Sequence, residues 1–119
     1  MQAGAVELSH GFHCLADPNR IRIIEILADG RKSVTELQTH FSMSLPGLLK
    51  HIRKLEQGQI IRTTKLGRTV YCELQHSPLE LMEHWIHRQT SFWTESLNRL
   101  NKELEKKAGP MAGKSRKGR

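Results

Sequence analysis

The sequence predicts a mainly α-helical fold with one small β-hairpin, and three features carry that expectation. Apolar residues recur at helical spacing through most of the chain. Proline, glycine and capping residues cut the pattern into short helices. One stretch, Ile60–Leu74, changes instead to the β-branched alternation of paired strands around a glycine.

A first short helix is expected over Leu8–Leu15. Ala16-Asp17-Pro18-Asn19 breaks it, because Pro18 restricts Asp17 to extended conformations, and Asn19 is a good N-cap for a second helix. From Arg20, the residues Ile21, Ile23, Ile24, Ile26 and Leu27 give this second helix a broad buried face, and Gly30 suits its left-handed C-terminal cap. Ser33-Val34-Thr35-Glu36 has the S-x-x-E form of a capping box and starts a short helix to about Phe41. After the turn Ser42-Met43-Ser44, Ser44 caps a helix with Leu45-Pro46 in its first turn, where proline is tolerated. That helix runs to about Gln57 and Gly58 stops it.

Ile60–Thr64 and Thr69–Leu74 come next as two strands, with Lys65-Leu66-Gly67-Arg68 between them and Gly67 supplying the turn. Ser77 as cap and Pro78 as first residue then open a long last helix. Its apolar seam is Leu79, Met82, Ile86, Phe92, Trp93, Leu97, Leu100 and Leu104. Residues 108–119 are rich in Gly, Lys and Arg and read as a disordered basic tail. Residues 1–107 are then one folded domain. Two short helices joined by a tight turn, with a basic hairpin after the second, describe a winged helix-turn-helix.

Charge says what such a fold would meet. The formal net charge is +7, but it is unevenly placed. The segment Ser44–Thr69 holds Lys50, Arg53, Lys54, Arg62, Lys65 and Arg68 against Glu56 alone, and Lys106 onward carries six cations and no acid. What remains is mildly acidic, so the cluster marks a site for a polyanion more strongly than overall charge does. The competing reading is a merely solvated face. A chain of 119 residues buries a modest core as a monomer, which makes a dimer plausible. Cys14 and Cys72 form no CxxC motif or disulfide framework, as suits a reducing cytoplasm. Neither a secretory signal nor an apolar run of membrane-spanning length is present, so the expectation is a cytoplasmic protein with no membrane partner. No P-loop, HExxH or nucleophile motif suggests an enzyme.

Within the helix Ser44–Gln57, Leu48, Ile52 and Leu55 share the core face, and Pro46, Lys50, Arg53 and Lys54 fall opposite, with Leu49 flanking them. Such a helix fits the major groove of double-stranded DNA. Ser44 and the first-turn amides of Leu45 and its neighbours are placed for a phosphate. Lys50 and Arg53 are placed for base edges or flanking phosphates. Lys65 and Arg68, at the hairpin tip, reach the adjacent minor groove or clamp the backbone. His51 lies near the core stripe and reads as a packing or helix-supporting residue.

At these residues the chain resembles a known family. Leu15-Ala16-Asp17-Pro18-Asn19-Arg20-Ile21-Arg22-Ile23-Ile24-Glu25-Ile26-Leu27 is similar to the opening signature of ArsR-type (ArsR/SmtB) bacterial repressors. Ser33-Val34-Thr35-Glu36-Leu37, Met43-Ser44-Leu45-Pro46, Lys50-His51-Ile52-Arg53-Lys54-Leu55-Glu56 and Gly67-Arg68-Thr69-Val70-Tyr71 continue in register. The resemblance covers roughly residues 12–75. It implies homodimers, joined through the first and last helices, that repress from palindromic operators and release them on a signal. Three residues depart from the pattern: Leu49 where many relatives have a DNA-contacting serine, Gly47 where alanine is usual, and Gln59 where the helix-to-strand glycine is common. Leu49 can meet a thymine methyl or alter specificity.

The usual metal-sensing sites of that family are missing from the sequence. Ser33–Phe41 has no cysteine, and where the upstream half of the last-helix site is expected stand Tyr71 and Glu73, which belong to the wing strand. No cofactor is expected. Zinc at His84 and His87, with Glu80 or Glu83, is the minor alternative. His10, His13 and Cys14 form another small cluster whose ordinary role is packing. The inducer is not legible. Trp85, Phe92 and Trp93 fit a dimer interface, together with Leu79, Met82, Ile86 and Leu97. The other functional class considered is a winged-helix protein-interaction module that does not read DNA.

Overall fold

The chain, in a computed structural model, is described from residue 4 to residue 108. It forms α1 (Ala5–Cys14), α2 (Pro18–Leu27), β1 (Lys32–Ser33), α3 (Val34–Gln38), α4 (Leu45–Gln57), β2 (Ile61–Leu66), β3 (Thr69–Leu74) and α5 (His76–Ala108). The described residues fall into two units divided after Glu83. The first holds α1 to the opening turns of α5, and the second is the remainder of α5.

Local chemistry sets most boundaries, with several departures from expectation. Asp17, not Asn19, caps α2: its carboxylate accepts from the Asn19 N–H at 2.8 Å and the Arg20 N–H at 3.3 Å. The restriction that Pro18 places on Asp17 is the reason. It holds Asp17 at φ −155°, ψ 128°, an N-cap conformation, and seats proline at the first helical position. The capping box at Ser33 is present in both directions, Glu36 N–H to Ser33 Oγ at 3.0 Å and Ser33 N–H to Glu36 Oε1 at 2.8 Å. The helix it starts ends at Gln38 rather than near Phe41. Helix α5 begins at His76, one residue before the expected cap Ser77, so Ser77 and Pro78 lie inside its first turn. Ala108, assigned to the tail, closes α5, while the rest of the expected disordered tail lies outside the described residues.

The hairpin is part of a three-stranded antiparallel sheet of order β1-β3-β2, not a two-stranded one. The added strand is Lys32–Ser33, paired with Cys72 and Tyr71 of β3. The turn is tighter than expected: Leu66 pairs with Thr69, leaving Gly67 and Arg68 between the strands. Gly67 takes φ 65° at the first turn position, where a side chain would be strained.

The core holds Ile23, Leu27, Leu37, Leu48, Ile52, Leu55, Ile60, Ile61, Cys14 and Cys72. Burying each Leu or Ile side chain contributes roughly 1.5–3 kcal/mol before ordering costs. The apolar face of α2 is narrower than expected. Ile23 and Leu27 are buried and Ile24 and Ile26 pack partly against the core, but Ile21 remains exposed.

The junction between α4 and β2 separates two roles that one glycine commonly serves. Gln59, a non-glycine residue, takes the left-handed conformation at φ 61°, at a cost of roughly 1–2 kcal/mol. Gly58 has an ordinary φ of −84°. Its need is space, because a Cβ there would overlap Cys14 Sγ. The Cys14 thiol in turn donates to the Lys54 carbonyl at 3.6 Å, docking α1 on the last turn of α4.

Candidate nucleic-acid interface

Helix α4 is amphipathic in the sense that reading a groove requires. Leu48, Ile52 and Leu55 are buried at no more than 3% exposure, and Lys50, Arg53 and Lys54 stand on the other side, all three exposed. Ser44 accepts from the Gly47 N–H at 3.4 Å, capping the helix at its exposed end. That bond, and the missing N–H of Pro46, leave fewer free first-turn amides for a phosphate than the sequence suggested. Leu45 and Pro46 are exposed beside them. Leu49 is half-buried and packs on the core, which limits how much of it can face a ligand.

The sheet carries the second group of cations. Lys65 and Arg68 are exposed at either side of the Gly67 turn. Leu66, half-exposed at the same tip, carried no distinct signal in the sequence. Among the described residues the ion pair present is Arg62 to Glu73 at 3.4 Å, between residues paired across β2 and β3. Arg62 is thereby partly neutralised, whereas Lys50, Arg53, Lys54, Lys65 and Arg68 have no carboxylate partner among the described residues. The Arg31 guanidinium stacks 4.4 Å from the Tyr71 ring centre, adding a cation beside the middle of β3. A cation before β1 carried no signal in the sequence, because its partner is 40 residues away.

A buried arginine supports α4 from behind. Arg20 is 9% exposed. Its Nε donates to the Cys14 carbonyl at 2.7 Å and Nη2 to the His13 carbonyl at 3.2 Å. Its Nη1 lies 3.5 Å from Nδ1 of His51 on α4. The nearby Asp17 carboxyl would be raised by desolvation, but the Asn19 and Arg20 amides and the Arg20 charge hold it below its ordinary value.

Cys72 is fully buried, and burial together with the charge of Glu56 pushes its thiol up to about 11. It therefore remains a neutral, poorly nucleophilic thiol near neutral pH. His84 and His87 are exposed on α5, and among the described residues no group of three or more His, Cys, Asp or Glu side chains is gathered to hold a metal ion. No helix among them is long and apolar enough to cross a membrane.

The expected dimer residues divide into two sets. Met82 is buried where α1 passes close at Gly11, and Leu79 packs on the core, so both serve this chain's own packing. Ile86, Phe92, Trp93 and Leu97 are 47–59% exposed, as are Leu100 and Leu104 at 54%. Phe92 and Trp93 meet edge to face with ring centres 5.8 Å apart.

Residues 15–64 match a family model described as a helix-turn-helix domain. The transcriptional repressor SdpR of Bacillus subtilis is 25% identical over 79 residues, spanning 66% of this chain and 88% of that protein. An arsenical resistance operon repressor of Staphylococcus xylosus is 32% identical over 74 residues, spanning 62% of this chain and 71% of the repressor. Among solved structures, an ArsR family transcriptional regulator superposes with a TM-score of 0.73 at 36% identity, covering 79% of this chain and 97% of the other.

Proposed function

The chain belongs to the ArsR family of winged helix-turn-helix, DNA-binding transcription regulators, and from that premise we propose that it acts as a homodimeric repressor of a palindromic operator. One observation carries the reading: α4 buries Leu48, Ile52 and Leu55 and turns Lys50, Arg53 and Lys54 outward. A helix so arranged enters a major groove with its core stripe turned away from the DNA. Ser44, Leu45 and Pro46 then approach the phosphate backbone at the helix start, Lys50 and Arg53 reach base edges, and Lys54 meets a flanking phosphate. Leu49 borders this surface. Lys65 and Arg68 enter the neighbouring minor groove or hold its backbone.

Two copies are needed to read a palindrome. The exposed apolar face of α5 supports that assembly, because Ile86, Phe92, Trp93, Leu97, Leu100 and Leu104 would otherwise remain in water. Trp93, Leu97, Leu100 and Leu104 also alternate spacings of four and three residues, the seam that lets two helices pack along their length. No metal or other cofactor takes part in this reading.

Fluorescence anisotropy with the duplex upstream of the protein's own gene, beside a shuffled duplex of equal length, tests it at two salt concentrations. Tight binding to the native duplex, weakened steeply by salt, is the expected result. Equal weak binding to both would locate the operator elsewhere. Absence of binding even at low salt would contradict the reading.

A further inference from the structure

We infer that Arg20 is a positioning residue for operator recognition, fixing the seat of α4 through His51; the inference rests on the assignment of α4 as the reading helix. An arginine carries its charge at all accessible pH values, and burying one is costly unless its donors are satisfied. Here three donors are directed to two elements. Nε and Nη2 meet the Cys14 and His13 carbonyls at 2.7 and 3.2 Å, at the C-terminal end of α1. That end carries the negative pole of the helix dipole, which offsets the guanidinium charge. Nη1 meets Nδ1 of His51 at 3.5 Å, in the middle of α4. Because arginine donates only, the contact requires Nδ1 to accept, which places the ring hydrogen on Nε2.

The planar fork thus ties α1 to the recognition helix across α2, the helix that carries Arg20. His51 directly follows Lys50 and precedes Arg53 by two residues. A rotation or slide of α4 at His51 moves both of the side chains assigned to base edges. The core stripe of Leu48, Ile52 and Leu55 fixes how deeply the helix packs, but apolar contacts are non-directional and tolerate small slides. A guanidinium bond is directional and resists them. A second contact, the Cys14 thiol to the Lys54 carbonyl, joins the same two helices one turn further on.

The test begins with in vitro selection of a duplex by the full-length wild-type protein from a random library. The selected duplex is then used with Arg20→Lys, His51→Ala and the double variant, measuring anisotropy, circular dichroism and oligomeric mass at a temperature where each is folded. Each single variant is expected to lose about tenfold in affinity for the selected duplex. Binding to a shuffled duplex should change little, because phosphate contacts survive a small displacement. The double variant should lose no more than the worse single variant, since both cut the same link. A drop in melting temperature with unchanged affinity would overturn the proposal by making Arg20 merely structural. Additive losses would overturn it by making His51 an independent DNA contact. If Arg20→Lys fails to fold, His51→Ala with Arg20→Gln repeats the same cycle. Failure of the wild type to select any sequence would instead refute the DNA-reading assignment on which the inference rests.

Discussion

Helices α4 and α5 are both amphipathic, yet they treat their apolar sides in opposite ways. In α4 the side chains of Leu48, Ile52 and Leu55 are buried within the chain, and its cations face outward. From Ile86 onward, α5 leaves six large apolar side chains 47–59% exposed. The same pattern in sequence therefore has two meanings. One stripe completes the chain's own core and leaves the polar side in solvent, and the other stays exposed, the surface that the proposed dimer would cover. What distinguishes them is how much surrounding structure exists to cover them. Helix α4 lies in a unit with three other helices and a sheet, whereas the described part of the second unit consists of α5 alone.

Substitutions at equivalent positions in the two stripes should separate these roles. Leu55→Ala should lower the stability of the folded chain by about 3 kcal/mol, read by chemical denaturation, because the cavity cannot collapse fully. Leu97→Asp should leave the secondary structure intact but weaken self-association at least about thirtyfold in analytical ultracentrifugation, as expected when a charge enters the centre of an apolar contact. A large loss of monomer stability from Leu97→Asp, or an unchanged dimer, would break the contrast. On the outer side of α4, Arg53→Ala should cost roughly 1–3 kcal/mol in operator affinity and relax sequence preference. Arg68→Ala should weaken binding to all duplexes alike and reduce the salt-dependence slope by about 1.

How much of this could be read from the sequence depends on the range of the interaction. The S-x-x-E box at Ser33, the Ser44 cap and the Leu48–Ile52–Leu55 stripe are local, and each is present where expected. Interactions between distant residues were hidden. Arg20 carried no role in the sequence reading because its acceptors on α1 and α4 become neighbours only on folding. The two-residue strand β1 is too short to show alternation and exists through its pairing with β3. Gly58 looked like an ordinary helix stop, whereas its lack of a side chain accommodates Cys14, 44 positions earlier. For the candidate site, the cations of α4 and the hairpin tip were legible, but the pairing that partly neutralises Arg62 and the stacking of Arg31 on Tyr71 were not.

Two smaller effects sharpen the picture of a closed first unit. Gln59→Gly should raise stability by about 1 kcal/mol in thermal or chemical unfolding, because glycine occupies the left-handed conformation without the side-chain penalty. Destabilisation would show that the Gln59 side chain contributes more than its strain costs. The effect of Cys72 ionisation should be absent at neutral pH. Its folded value of about 11 lies above the ordinary 9.0, so its contribution to stability is full below pH 9 and declines as the pH rises through 11. Comparing melting temperatures of wild type and Cys72→Ala across pH values from about 8 to about 11.5 reads that difference. A thiol reagent at mildly alkaline pH should modify Cys72 only after unfolding.

The proposed reading and dimerising surfaces meet in one prediction about DNA geometry, and hydroxyl-radical footprinting on a selected duplex tests it most directly. Two protected half-sites related by a dyad, with centres about one helical turn or a multiple apart, and loss of both protections together in Leu97→Asp, are the predicted result. A single protected patch without dyad symmetry, retained by Leu97→Asp, would contradict the account.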